Sequence, residues 1–274
     1  MDDLDDGVIA DVLRNGDIEV DARMLDASNV TLVGTASRDG VTVSCVYKPT
    51  SGERPLWDFP RGTLARREVA TYEVSHVSGW DAVPPTVWRD EGPVGAGMCQ
   101  LWIENDPKDA ESLVDLFAPE DVPVGWYPVV TGSGHDGRPI VLAHADDRRL
   151  ANLAVLDAMV NNADRKGGHL LVDATDHVYA IDHGLCFHED TKLRTVLWGW
   201  AGSAFSDDQL AVLHRMRDEL VGGPAAVTGL RNSLESLLSE SELNNTLERV
   251  ETLVAGGHYP TPSDEWPALP WPVF

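Results

Sequence analysis

The stretch NNADRKGGHLLVDATDHVYAIDHGLCF, residues 161–187, decides the reading of this chain. It holds an Asp-Arg pair, a glycine step, two apolar runs and then Ile-Asp-His-Gly. The apolar runs, parted by polar residues, read as a hairpin. Folded back on itself, that hairpin brings Asp164 and Asp182 to one edge. An ordinary surface hairpin has no use for two aspartates bracketing apolar strands. One such carboxylate can orient or deprotonate a hydroxyl while the other holds a metal on phosphates. Taken singly, each is a turn former or a helix cap. Gly184, just beyond Asp182, frees the backbone beside a metal ligand and makes this the more informative of the two.

Working outward, DDRRLANLAVLDAMVNNA (146–163) has helical spacing, with Leu150, Leu153, Ala154 and Asp157 along one side. Asp157 sits within that apolar face and reads as a satisfied structural carboxylate. Further helices are predicted over 206–220, 225–238 and 241–255. The Pro- and Trp-rich stretch 258–274 is expected to lie extended against the helical part, since its aromatics would otherwise be exposed. Upstream, residues 8–14 predict a short helix. NVTLVGTASRDGVTVSCVYKP (29–49) predicts a hairpin around Ser37-Arg38-Asp39-Gly40. TLARREVATYEVSHVSG (63–79) predicts a helix with Ala65, Val69, Tyr72 and His76 on one face, His76 in the core. Pro84 and Pro85 introduce a strand over 86–89, and GMCQLWIE (97–104) is a short apolar strand leading into polar sequence. His135, in TGSGHDGRP, is expected in an exposed turn. The fold class is therefore α+β, with a β-rich lobe over 1–104 and a mainly helical lobe over 105–274 around a cleft.

Composition narrows the partners. The 274 residues are 43% hydrophobic, enough for a real core, and no apolar run approaches a membrane span. The start MDDLDDGVIADVL is acidic and lacks the order of a signal peptide. Cys45, Cys99 and Cys186 are scattered without metal-ligand spacing and read as reduced thiols of a cytoplasmic protein. With 21 basic against 45 acidic residues, the net charge is -24. Nucleic acid and anionic membrane surfaces are repelled at long range by such a chain.

Strand alternation places Thr42, Ser44, Val46 and Lys48 on one face, so Val46 and Lys48 lie side by side under the preceding hairpin. Such a pair can cover a flat base and hold phosphates. A buried lysine needs an acidic partner. Glu68 and Glu73 flank the apolar stripe of the next helix, and periodicity does not choose between them.

These segments together resemble the phosphatidylinositol 3-/4-kinase superfamily. The likeness is carried by VYKP, REVATYEVSHVSGWDAVPPT, GMCQLWIE, LAVLDAMVNNADRKGGHLLV and AIDHGLCF, in the family's order over roughly residues 30–190. It is closest to type II phosphatidylinositol 4-kinases and their small actinobacterial relatives. The resemblance implies a two-lobed protein-kinase-like fold binding ATP with Mg²⁺ or Mn²⁺ between the lobes. It assigns Lys48 to the α/β-phosphates and favours Glu68 as its partner. Gln100, Leu101, Trp102 and Ile103 become the linker that meets adenine, with Val46 above the base. Asp164 becomes the catalytic-loop aspartate, followed by Arg165, and Asp182 the metal-binding aspartate. One position departs from the family: His169 stands where a metal-binding Asn is usual. Imidazole suits Mn²⁺ better than Mg²⁺, so metal use has changed or transfer is impaired. The segment HEDTKLRTVLWGWAG (188–202) offers only Lys192 and Arg194 as cations. The resemblance thus implies an ATP-dependent phosphotransferase, and the net charge with so few cations in 188–202 turns the expected acceptor to a soluble or protein hydroxyl. Its alternatives are a nucleotide-binding pseudokinase or an AMP transferase, with a lipid acceptor ranked lower.

Overall fold

The computed structural model describes residues 4–25, 27–104, 112–134, 136–223 and 226–274. Helix α1 (Asp6–Asn15) starts at Asp5, whose carboxylate accepts from the Gly7 N–H at 2.8 Å. Its Ile9, Val12 and Leu13 are buried against a five-stranded antiparallel sheet. That sheet contains β1 (Asp17–Arg23), β2 (Leu32–Arg38), β3 (Val41–Pro49), β4 (Thr86–Arg89) and β5 (Gly97–Leu101), in the order β1-β2-β3-β5-β4. The β2–β3 turn falls on Asp39 and Gly40, both with positive φ, the conformation a two-residue hairpin loop demands. Along β3, Val43, Cys45 and Tyr47 are buried on the core side. Val46 and Lys48 therefore occupy the other face, as alternation requires.

Helix α2 (Leu64–Ser78) packs behind the sheet and ends at Gly79, φ +74. It is tied to the helical region by Arg67. That guanidinium is buried, pairs with Glu242 and donates to the Cys186 carbonyl at 2.7 Å. The main apolar cluster accordingly runs from Ala65, Val69 and Val74 of α2 into the helices that follow. His76 departs from expectation: its side chain is 52% exposed, stacked on Tyr72 and 3.0 Å from Asp81. It lies on the flank of the last turn, while Ser75 and Ser78 take the covered side.

A second sheet of β6 (Val114–Phe117), β7 (Trp126–Ser133) and β8 (Pro139–Ala145), ordered β6-β8-β7, was not anticipated from sequence. His135 and residues 105–111, where the lobe division was placed, lie outside the described residues. Helix α3 (Arg148–Val160) is capped by Asp147 and stops at Asn161, which takes the left-handed conformation at φ +53. The hairpin β9 (Leu170–Val172) and β10 (Val178–Ala180) follows. Then come α4 (Asp207–Val221), α5 (Leu230–Glu235) and α6 (Glu240–Gly256), the first and last opened by capping boxes at Ser206 and Ser239. α5 is much shorter than the span 225–238 predicted, and residue 225 lies outside the described residues. The segment 258–274 lies on the helical region as expected, with Leu269 and Val273 packed on its core. Trp271 nonetheless stays 88% exposed.

Candidate active site

Lys48, Glu68 and Asp182 meet at one point. The Lys48 ammonium lies 2.8 Å from Glu68 Oε1 and 2.8 Å from Asp182 Oδ1. Three elements converge to make this contact: the open face of β3, the buried side of α2, and the chain just after β10. The geometry chooses Glu68, which is buried, over Glu73. Its neighbour Arg67 anchors α2 and so holds the carboxylate in place. No local pattern announces that anchor, because Glu242 is 175 residues away. Burial opposes the charge on Lys48, but Asp182 and Glu68 outweigh it and raise the ammonium above the usual lysine range. Burial also pushes the Glu68 carboxyl up, with Lys48 pulling against it. Lys48 holds Asp182 well below the carboxylate range, more than burial raises it. Asp182 itself adopts φ +66, a sparsely populated conformation for a residue with a side chain.

Two contiguous cavities open from this cluster. The first, about 300 Å³, is walled by Val46, Gln100, Leu101, Trp102 and Ile103, with Leu171 and Ile181 opposite and Lys48 and Asp182 at its end. The second, about 330 Å³, continues from Lys48 and Asp182 past Glu68, Arg54 and Asp164. One end is thus mainly apolar, the other charged. Gln100 uses its amide inside the sheet, donating to Thr86 Oγ1 at 2.7 Å. The N–H groups of Leu101 and Trp102 donate to the Pro85 and Ser44 carbonyls. Among the described residues the Ile103 N–H has no such acceptor. The apolar floor made by Leu171 and Ile181 was missed at the sequence level, although both flank the decisive aspartate on the hairpin.

Asp164 is half-buried, its N–H donating to Asn162 Oδ1 at 3.0 Å, with Lys166 Nζ 3.4 Å from its carboxylate. Burial raises its carboxyl, while Lys166 and Arg194 pull it down and Asp182 adds to the rise. Arg165 is placed differently from its sequence-based assignment among catalytic groups. It has no exposure, and its guanidinium forks onto Asp157 at 3.0 Å behind the loop. It also donates to the Ile181 carbonyl and, at 2.6 Å, to His183 Nε2. Arg165 therefore touches the segment carrying Asp182 and not the cleft. Asp157 also accepts from Asn162 and is fully satisfied, as read from the sequence.

His169 points its Nε2 at Asp182 Oδ2 across 3.6 Å, and its Nδ1 is buried without a partner. Burial pushes its pKa down to about 4, with Asp182 opposing, so the ring is neutral at pH 7. A divalent cation fits between these two side chains, since a neutral imidazole nitrogen and a carboxylate oxygen are both competent ligands. Among the described residues no group of three or more His, Cys, Asp or Glu could hold a metal alone. A cation held here would need its remaining ligands from phosphate and water, as Mg²⁺ sites commonly do.

The sheet, the tethered helix, the lysine–carboxylate pair and the aspartate-bearing hairpin define a protein-kinase-like architecture. The Golgi casein kinase, in a crystal structure with Mn/ADP bound, has the same architecture at 15% identity and a TM-score of 0.54, over 92% of this chain and 76% of its own. The family model for phosphatidylinositol 3- and 4-kinase matches residues 148–196. Phosphatidylinositol 4-kinase gamma 4 of Oryza sativa subsp. japonica is 27% identical over 56% of this chain, which spans only 26% of that plant protein. Protein Rv2133c of Mycobacterium tuberculosis is 44% identical over 270 residues, 96% of this chain and 94% of its own length. The chain belongs to the family of that mycobacterial protein. Among the described residues no helix is long and apolar enough to cross a membrane.

Proposed function

We propose that this protein is an ATP-dependent phosphotransferase acting on a soluble or protein hydroxyl. The observation that carries the reading is Lys48, held by Glu68 and Asp182 at 2.8 Å each, at the junction of an apolar and a charged cavity. Val46, Leu171 and Ile181 offer two apolar surfaces to a flat base, and the linker offers the Ile103 N–H to its edge. Lys48 is in position to neutralise phosphate oxygens at the base's far end. Asp182 and His169 would hold Mg²⁺ or Mn²⁺, which supplies positive charge to the phosphates. The structural neighbour with Mn/ADP bound supports nucleotide and divalent metal. Asp164, at the charged end, is in position to orient an acceptor hydroxyl and take its proton. Arg165 acts as a positioning residue, fixing the loop before Asp182 through Ile181 and His183.

The test is to incubate the purified chain with α- and γ-labelled ATP, either metal, and a cell extract. Movement of the γ label, lost in Asp164→Ala, is the expected result. Movement of the α label would make the chain an AMP transferase. If neither label moves while ATP still raises the melting temperature, His169 marks a pseudokinase. No thermal shift with ATP and any of Mg²⁺, Mn²⁺ or Ca²⁺ would sink the nucleotide reading itself.

A further inference from the structure

Arg194 is the unspent cation beside Asp164. Its N–H donates to the Asn162 carbonyl at 2.9 Å, and its carbonyl accepts from the Arg165 N–H at 3.0 Å. The two segments thus run parallel, bridged at Arg165 and Thr195. Arg165 and Thr195 both turn inward onto Asp157. Alternation along extended chain sends the preceding residues, Asp164 and Arg194, to the opposite side together. Among the described residues the Arg194 guanidinium makes no ion pair or hydrogen bond, and its Nε is buried without a partner. A buried unpaired guanidinium N–H is costly. Lys166 stands on the same side, 3.4 Å from Asp164.

The other cation of the segment is unavailable. Lys192 is buried, 2.7 Å from Asp58, and lies over the rings of Trp57 and Trp266. It fastens loop 53–62 and the stretch 258–274 to the segment 188–202. That leaves Arg194 and Lys166 flanking the aspartate that receives the acceptor.

We propose that the acceptor hydroxyl belongs to a molecule carrying an anionic group, a phosphate monoester or a carboxylate, which Arg194 receives beside Asp164. This rests on the phosphotransfer reading and deepens it. A planar guanidinium forks onto such a group with two parallel hydrogen bonds, which fixes orientation as well as position. The net charge of -24 disfavours extended anionic surfaces at long range. It does not prevent a small anion from reaching one cation, because charges beyond about 8 Å are screened at physiological salt. In the transfer, the acceptor oxygen bonds the γ-phosphorus as the bond to the β,γ-bridging oxygen breaks. Asp164 takes the hydroxyl proton and ADP leaves.

Inorganic phosphate is the probe, titrated calorimetrically into the full chain with and without ADP and Mn²⁺. The wild type should bind it in both conditions, and Arg194→Gln roughly tenfold more weakly, as loss of one charge-assisted contact implies. Arg217→Gln, which alters a surface pair with Asp218, should change nothing. Co-sedimentation with phosphatidylcholine vesicles, with or without phosphatidylinositol 4-phosphate, separates the sources. Arg194-dependent phosphate binding without vesicle recruitment supports a soluble acceptor; Arg194-dependent recruitment supports the same site with a lipid headgroup. No heat of phosphate binding, or binding that Arg194→Gln leaves unchanged, overturns the proposal. A chain that binds phosphate through Arg194 yet moves neither ATP label has the anion site without the transfer, so the two readings fail separately.

Discussion

Gly167 lies against the ring of Phe274 so closely that a Cβ added to the glycine would stand 2.4 Å from ring Cε1. The Gly167 N–H donates to the Val273 carbonyl at 2.9 Å, and the Ala268 carbonyl accepts from the Thr195 N–H and the Trp198 indole. The stretch 258–274 therefore straps the loop at Gly167 to the segment 188–202. This gives Gly167 a physical reason: a side chain there meets the Phe274 ring. Gly167→Ala should destabilise the chain by about 1–2 kcal/mol, as overpacking does. The Phe274 ring is 44% exposed and can swing away, which keeps the cost low. Combined with Phe274→Ala, the glycine substitution should cost less than alone. Urea unfolding of the four proteins measures this coupling, and strictly additive effects would dismiss the strap.

The Arg165–Asp157 pair invites a comparison with Asp164, its neighbour in sequence. Both partners of the pair have no exposure, so removing either leaves a buried charge alone. Arg165→Met or Asp157→Asn should cost about 3–5 kcal/mol of stability. Asp164→Ala, at a half-buried position facing the cavity, should stay within about 1 kcal/mol. Denaturant midpoints decide. If Arg165→Met leaves stability intact while abolishing transfer, the residue works in the cleft after all.

The Lys48, Asp164 and Asp182 positions were legible because each sits at the end of an element whose alternation or spacing can be counted. The choice of Glu68 was not legible in periodicity, since both glutamates suit the helix; the resemblance alone favoured it, and Arg67, anchored far along the chain, is what holds its surroundings. The sheet β6-β8-β7 escaped for a different reason. β6 and β7 carry exposed residues and Pro128 and give no clean alternation, and the apolar run 140–143 of β8 is too short for periodicity to tell a strand from a buried helix segment. His76 was misplaced because the covered face at the end of α2 runs through Val74, Ser75 and Ser78, and a count of apolar positions does not mark its serines. Arg165 next to Asp164 invited one role for both, whereas extended backbone sends adjacent side chains to opposite sides.

Buried neutral histidines set the acid limit of stability. His144 has no exposure: its Nε2 accepts from the Gly199 N–H at 3.0 Å, leaving Nδ1–H to donate to the Ala145 carbonyl. Burial lowers its pKa, as it does for His183, where Arg165 adds to the effect, and for His169. In the unfolded chain these rings take up protons near pH 6.5. Between that value and their lower folded values the unfolded state binds more protons, so stability falls as pH decreases. Glu68 and Asp164, whose carboxyls are raised, oppose this part of the way and make the slope shallower. Urea midpoints should hold near pH 7 and drop from about pH 6.5 towards pH 4.5. His144→Gln should be less stable at pH 7 but show a smaller drop. A midpoint unchanged down to pH 4.5 would contradict the neutral assignment.

The position of His169 separates an active enzyme from a pseudokinase. Its Nε2 and Asp182 Oδ2 face each other across 3.6 Å, and the ring is neutral throughout the physiological range. A neutral imidazole nitrogen favours Mn²⁺ over Mg²⁺, because Mg²⁺ prefers oxygen and yields its waters reluctantly. Wild-type transfer should therefore be faster with Mn²⁺, and ADP should raise the melting temperature more with Mn²⁺ than with Mg²⁺. His169→Asn puts an amide oxygen within reach and should move the metal preference towards Mg²⁺ by on the order of tenfold, the lower range for changes around a metal. Turnover should survive that substitution, whereas Asp164→Ala should abolish it and leave the thermal shift with nucleotide intact. A wild type that turns over with Mg²⁺ alone, unchanged in His169→Asn, would make His169 a bystander. A wild type that binds nucleotide but transfers nothing with either metal, and gains transfer in His169→Asn, would locate the lost activity at this one residue.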